Sequence, residues 1–186
     1  LSNGCKSRVS PNSGNYIAPG KGVHREVKSE GSRHLGYSFN VMKGKCQLTV
    51  HPKSKAEMKS RLKELTSRSN GWGYSKRKQK LKEYIRGWVG YYHLANMKRL
   101  LLTTDEWLRR RIRMCIWKAW KKVKTKVANL IRCGIDKYKA YEWGNTRKGC
   151  WRIADSHIMH RAITNENLRK AGYATLMGEY LEWYPK

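Results

Sequence analysis

The chain is poor in acidic residues and has no long apolar run. Its 186 residues include 13 Asp and Glu against 41 Lys and Arg, a formal net charge of +28 at pH 7. A membrane-spanning helix needs roughly 18 consecutive apolar residues, and no stretch approaches that, so no such span is predicted. Such a charge opposes compaction unless an anionic partner neutralises it. Nucleic acid is the expected partner, and an anionic membrane surface is the alternative.

Paired cysteines are also lacking. The five cysteines are scattered, with no Cys-x-x-Cys pair, which argues against a zinc site or a disulfide framework. Reduced thiols are typical of cytosolic proteins, so we expect a cytoplasmic location in bacteria, with an organelle as the alternative. No signal peptide is evident and residue 1 is Leu, so we expect an excerpt of a longer protein or a processed piece.

Clustered carboxylates are missing too. The only aspartates are Asp105, Asp136 and Asp155, which lie far apart in sequence. A two-metal polymerase or nuclease centre needs several converging carboxylates, so we expect no catalytic residue and no metal ligand in this chain. Asp105 and Asp136 are expected to complement helix dipoles from helix N-termini. Because sequence adjacency is no evidence for a triad, we expect only capping and local hydrogen bonds from Asp155-Ser-His157.

Local patterns predict a mainly α fold with one small N-terminal β-hairpin. Residues 35–39 and 46–50 are β-prone runs on either side of Lys43-Gly44-Lys45, which is a hairpin signal. Ser54 with Glu57 has the spacing of a capping box and predicts the start of the first helix.

A second helix is predicted to begin at Ser75 and to bury Leu81 and Ile85 at helical spacing. It contains Gly87 and Gly90, each of which costs about 1 kcal/mol relative to Ala in a helix. Close contact with another element or with RNA is the expected compensation. Shorter helices are predicted over 136–143, 150–163 and 165–171.

The most informative helix is predicted to begin at a capping box formed by Thr103 and Glu106 and to continue to Cys133, with Gly134 after its end. At about 100° per residue it divides into two faces. The apolar face consists of Leu108, Ile112, Cys115, Ile116, Ala119 and Val123. The opposite face consists of Arg110, Arg113, Trp117, Lys121 and Lys124. Arginine suits phosphate and tryptophan suits base stacking, so this second face is predicted to be exposed and to bind nucleic acid.

An ordered series of segments resembles group II intron reverse transcriptase/maturases. The series consists of residues 34–39 (HLGYSF), 51–54 (HPKS), 85–92 (IRGWVGYY), 105–114 (DEWLRRRIRM), 117–120 (WKAW), 140–143 (AYEW), 145–149 (NTRKG), 151–154 (WRIA) and 168–172 (LRKAG). Their order and spacing, rather than any single segment, carry the resemblance over about residues 34–180.

The resemblance implies a domain plan for the C-terminal part of such a protein. Residues 1–33 are a linker or a remnant of the palm, and 34–52 are the hairpin that ends the palm. Residues 53–122 are a thumb-like helical bundle, and 123–186 are a second small helical domain, the maturase (X) domain. The fingers and the Tyr-Ala-Asp-Asp motif of the palm are absent, so no cofactor is expected in this chain. Mg²⁺ is expected only for that absent palm and for the intron ribozyme.

The resemblance also implies partners: group II intron RNA, template–primer nucleic acid and, alternatively, a separate fingers/palm polypeptide. The expected function is to bind intron RNA, assist its splicing and position template and primer for reverse transcription. Two alternatives stay open, namely part of an active RNA-directed DNA polymerase with its palm elsewhere, or a degenerate remnant of a mobile element. No membrane partner is expected. The predicted RNA-binding residues are Lys82, Arg86, Arg109, Arg110, Arg113, Trp117, Lys121, Lys124, Arg147 and Lys148.

Overall fold

A computed structural model describes residues 35–42 and 44–183 of the chain, so the predictions for 1–33 lie outside the described residues. The predicted hairpin is confirmed. Strand β1 (Tyr37–Met42) pairs with β2 (Lys45–Val50) in an antiparallel register that runs from Tyr37 opposite Val50 to Met42 opposite Lys45.

The rest of the described chain is helical, which confirms the mainly α prediction. Its helices are α1 (Pro52–Leu65), α2 (Tyr74–Tyr92), α3 (Lys98–Ala119), α4 (Val123–Arg132), α5 (Lys137–Gly144), α6 (Cys150–Ile153), α7 (His157–Ala162), α8 (Asn165–Lys170) and α9 (Leu176–Glu182). Most buried apolar side chains from Val50 to Tyr180 form one core, and Met114, Cys115 and Ala154 form a small second cluster. The boundary placed between residues 122 and 123 stays a prediction.

The hairpin is attached to the C-terminal end of α2 and to the turn that follows it. The backbone N–H of Asn96 donates to the carbonyl of Leu48 at 2.8 Å. The Tyr91 hydroxyl donates to the carbonyl of Leu35 at 3.0 Å, and the Tyr37 hydroxyl donates to the carbonyl of Tyr91. These bonds fix the hairpin relative to the helices.

Helix α1 begins two residues before the predicted capping box. Pro52 occupies the first turn, where its fixed φ suits a helix start, and His51 is the N-cap, with its ring Nδ1 accepting from Lys53 N–H at 3.2 Å. Ser54 is buried instead, and its hydroxyl donates to the Gly36 carbonyl at 3.3 Å. The capping-box prediction was therefore wrong, because a proline start was available just upstream.

Helix α3 is displaced from its prediction at both ends. It starts at Lys98, so the predicted cap Thr103 lies inside it, and the Thr103 hydroxyl donates to the Leu100 carbonyl at 3.0 Å. It ends at Ala119, because the chain turns at Trp120 (φ −79°, ψ 62°) and α4 begins as a separate helix. The turn buries the Trp120 indole in the core. A turn without glycine or proline leaves no breaker signal in the sequence.

The two aspartates expected at helix starts have different outcomes. Asp136 is the N-cap of α5 and accepts from Tyr138 N–H at 3.0 Å, as predicted. Asp105 lies in the middle of α3, where it complements another helix. Its carboxylate accepts from Leu176 N–H at 2.8 Å and Met177 N–H at 2.9 Å, the first amides of α9. Burial raises the pKa of the Asp105 carboxyl, and these two donors partly offset that rise.

The glycines of α2 have different surroundings. A Cβ on Gly90 would contact the Trp183 ring at 3.6 Å, so this backbone lies near another element, as predicted. A Cβ on Gly87 would meet nothing within 4 Å. Among the described residues, Gly87 therefore lacks the packing partner that would compensate for its place in a helix.

Two glycine-to-alanine substitutions are expected to have opposite effects on stability. Gly87→Ala should raise the free energy of unfolding by about 1 kcal/mol, since the site is helical and open. Gly36→Ala should lower it by more than about 1 kcal/mol, because Gly36 has φ +78° and its Cβ would meet the Tyr92 hydroxyl at 2.3 Å. Urea denaturation of both variants measures the signs, and equal signs would contradict these environments.

The bonds from Asp105 to the start of α9 predict a second difference in stability between two variants. Asp105→Ala should lower the free energy of unfolding by about 2 kcal/mol, because it leaves two N–H groups of α9 without their acceptor. The exposed cap Asp136→Ala is the matched control and should cost about 1 kcal/mol or less. If thermal denaturation showed Asp136→Ala to be the more harmful, the role assigned to Asp105 would be refuted.

Candidate nucleic-acid interface

Two residues predicted for the exposed face of α3 are buried. Arg113 and Trp117 are each only 2% exposed, whereas Ala119 and Val123, predicted for the apolar face, are exposed. The prediction that Arg113 and Trp117 are surface residues was therefore wrong. The physical reason is that α3 packs against α1, α6 and α9, so more than one of its faces is covered.

Arg113 makes its hydrogen bonds inside the protein. Its Nε donates to the Ile163 carbonyl at 2.9 Å and its Nη2 to Asn165 Oδ1 at 2.8 Å. Burial lowers the pKa of the Arg113 guanidinium, and the nearby charge of Arg109 lowers it further. The group stays protonated, because arginine ordinarily ionises far above neutral pH. It joins α3 to the segment between α7 and α8.

Arg110 is partly committed in the same way. Its Nη1 lies 3.0 Å from Asp155 Oδ2, its Nη2 donates to the Trp151 carbonyl at 3.2 Å, and its guanidinium lies 4.0 Å from the centroid of the Trp151 ring. Its side chain is 28% exposed. Asp155 therefore forms an ion pair with Arg110. The histidine that approaches it is His160, whose Nε2 lies 3.5 Å from Asp155 Oδ1. His157 packs edge-on against Trp143 instead.

Positively charged side chains without described ion-pair partners are concentrated at the turn between α3 and α4. Residues 107–135 contain ten Lys and Arg and no Asp or Glu. Four lysines around the turn are exposed and define what we call the basic corner: Lys118, Lys121, Lys122 and Lys124. The predicted residues Lys121 and Lys124 belong to it. No described ion pair involves any of the four, so their charges are available to an anion.

A cleft opens beside the basic corner. It has a volume of about 360 Å³ and is lined by Trp117, Lys118, Trp120, Lys121, Lys126 and Cys150. We call it the indole–lysine cleft. Cys150 directly follows the 145–149 connection, on which the predicted residues Arg147 and Lys148 are exposed. The fold therefore brings these two cations, distant in sequence, to the neighbourhood of the basic corner.

The remaining predicted residues lie elsewhere. Lys82 and Arg86 are exposed on α2, about 12 and 18 Å along the helix axis from Tyr74 at 1.5 Å per residue. Tyr74 of α2 lies beside Trp120, so Lys82 and Arg86 lie away from the basic corner and form a separate patch. Arg109 is half-buried near Asp105, beside α8. It is not part of the basic corner.

Lys118 and Lys122 were missed by the sequence reasoning. Both were assigned to a continuous helix in which they belong to neither predicted face, and the turn at Trp120 brings them to the same corner. The acid-free composition of 107–135 was the available signal. Tyr138, 80% exposed on α5, was also not predicted as a contact, and its sequence neighbourhood offers no distinctive signal.

The described structure defines a strongly basic, mainly helical protein with one lysine-rich corner. None of its described helices is both long and apolar enough to cross a membrane. Residues 55–134 match the family described as "Group II intron, maturase-specific domain". The family that the resemblance indicated is therefore matched over residues 55–134. No curated protein matches the chain.

The match begins in α1 and ends just after α4. It covers most of the segment predicted as thumb-like, the first part of the predicted maturase domain, and the whole basic corner. The corner is therefore part of the region that matches the family, whereas Arg147 and Lys148 lie beyond it.

The burial of Arg113 predicts a structural role that stability can measure. Arg113→Ala should lower the free energy of unfolding by about 2 kcal/mol, because it leaves the buried Ile163 carbonyl without a donor and removes a buried side chain that links α3 to Asn165. Arg147→Ala removes the same charge from an exposed site and should change stability by less than about 0.5 kcal/mol. Equal guanidinium midpoints for the two variants would show that Arg113 is dispensable for the fold.

Proposed function

We propose that this chain binds group II intron RNA through the basic corner and thereby assists splicing of the intron. The observation that carries the proposal is the presence of four exposed, unpaired lysines at one turn of a group II intron maturase-specific domain. Arg147 and Lys148 extend the contact from one side. Lys82 and Arg86 provide a second contact on α2.

Buried positive charges also support the proposal that the partner is anionic. Arg77 is 5% exposed and its Nη2 donates to Asn70 Oδ1 at 3.1 Å, and the acceptors of Arg113 are likewise a carbonyl and an amide oxygen. Neither guanidinium has a carboxylate partner among the described ion pairs. Their charges therefore add to the positive potential of the surface instead of cancelling within the core. A polyanion relieves that repulsion when it binds.

Binding can assist splicing without any catalytic group in this chain. A folded intron brings many phosphates close together, and their repulsion opposes the compact form. A cationic protein that binds the compact form more tightly than the open form shifts the equilibrium toward it, by mass action. Recognition by shape and phosphate contacts is typical for structured RNA. In this proposal the chemistry stays with the RNA, and the protein stabilises the fold that performs it.

Removal of the basic corner tests the proposal. A variant with Lys118, Lys121, Lys122 and Lys124 all changed to Ala should bind group II intron RNA at least about tenfold more weakly. The slope of log affinity against log salt should become less steep by about 3, because each lost phosphate contact removes somewhat less than one unit. Fluorescence anisotropy titrations at several salt concentrations measure both quantities. Intron splicing at low Mg²⁺ should be stimulated less by this variant.

The matched control changes four exposed lysines elsewhere: Lys53, Lys59 and Lys63 on α1 and Lys98 at the start of α3. It removes the same net charge from the protein. If the control lost as much affinity and salt slope as the corner variant, the binding would reflect total charge, and the assignment to the basic corner would fail.

A further inference from the structure

The indole–lysine cleft has features of a ligand site that a flat basic surface lacks. Its volume of about 360 Å³ lies within the usual range for small-ligand sites. Three of its six lining residues are lysines, two are tryptophans and one is Cys150. No carboxylate is among the residues that line it. The cleft thus combines positive charge with apolar edges and offers no negative charge to repel a phosphate.

The positive part of the cleft lies mainly at its mouth. Lys118 and Lys121 are exposed and have no carboxylate partner in the ion pairs of residues 35–42 and 44–183. Lys126 is half-buried, and its Nζ lies 4.9 Å from the centroid of the Trp117 ring. An ammonium over an indole face is held in place by the cation–π attraction. Two exposed ammonium groups and one positioned ammonium group therefore line the same cleft.

The apolar part of the cleft is rigid. The rings of Trp117 and Trp120 have centroids 5.8 Å apart and are tilted by 55°. Both indoles are almost wholly buried, at 2% and 8% exposure, so packing fixes their positions before any ligand arrives. A preformed surface loses little entropy on binding. The indole edges that line the cleft, together with Cys150, can contact a flat aromatic group of modest size.

We infer that the cleft binds one unpaired nucleotide of RNA, with its phosphate at Lys118 and Lys121 and its base against the edges of Trp117 and Trp120. This inference rests on the proposed RNA binding and specifies it further. A paired base cannot enter, because its faces are stacked within the helix, whereas the bases of loops and bulges can turn outward and contact aromatic side chains. The site therefore selects bulged or looped RNA over continuous duplex.

Two RNA hairpins test the selection directly. They have the same stem, and one carries a single unpaired nucleotide. The protein should bind the bulged hairpin about tenfold more tightly than the fully paired one, on the scale of base–aromatic contacts. Cys150→Phe, which fills the cleft, should abolish this preference and leave affinity for the paired hairpin within about twofold. Cys46→Phe, on the exposed side of the hairpin strand β2, is the matched control and should keep the preference.

A measurement on the unchanged protein guards against misfolding of the Cys150→Phe variant. Alkylation by N-ethylmaleimide should slow at Cys150 by about fivefold or more when bulged RNA is bound, since the thiol becomes inaccessible. Cys46 is the internal reference and should react at an unchanged rate. Mass spectrometry of the modified peptides gives both rates from one sample.

The possible outcomes distinguish failure of the nucleotide site from failure of the proposed RNA binding. Equal affinity for both hairpins, or protection of Cys150 no greater than that of Cys46 while RNA is bound, would overturn the nucleotide site and leave the basic corner intact. Absence of salt-dependent binding to either hairpin and to intron RNA would overturn the proposed function, and the nucleotide site with it. Preference for the bulge together with selective protection of Cys150 would establish the site.

Discussion

Polar side chains of α3 hold backbone groups of the segments packed around it, and the rest of the structure depends on this arrangement. Asp105 accepts from the first amides of α9. Arg111 Nη2 donates to the carbonyls of Lys63 and Thr66 at the end of α1, where the helix dipole favours a cation. Arg110 and Arg113 donate to the carbonyls of Trp151 and Ile163. These bonds connect α3 to α1, α6 and α9 and to the segment after α7.

The cations of α3 and of the turn that follows it form two groups with different roles. Arg110, Arg111 and Arg113 have their donors turned inward and connect secondary-structure elements. Lys118, at the end of the same helix, and Lys121 and Lys122, just beyond it, are exposed. Charge is long-range, so the inward arginines still contribute to the surface potential. Their described hydrogen bonds are made within the protein. Net charge therefore identifies the class of partner, whereas the division between inward and outward cations identifies the contact surface.

Sequence patterns predicted much of the local structure and misplaced specific parts for identifiable reasons. The hairpin was correct because alternating β-prone residues around Gly44 have few other interpretations. Both capping boxes were wrong, since the hydroxyls of Ser54 and Thr103 donate to backbone carbonyls instead, which spacing cannot distinguish from capping. Arg113 and Trp117 were assigned to the surface by residue type. Arginine is seldom buried without a charged partner, and its neutral acceptors come from residues about 50 positions later in the sequence.

The sequence by itself determined the class of structure, the basic character and, through an ordered series of motifs, the maturase family. These properties depend on composition and on local periodicity, which need no knowledge of distant contacts. Tertiary structure alone decided where α3 ends, which cations remain free, and that Trp117, Trp120 and Cys150 enclose one cleft. The turn at Trp120 brings these residues together because burying its indole against the core outweighs continuing a helix that the local sequence would allow.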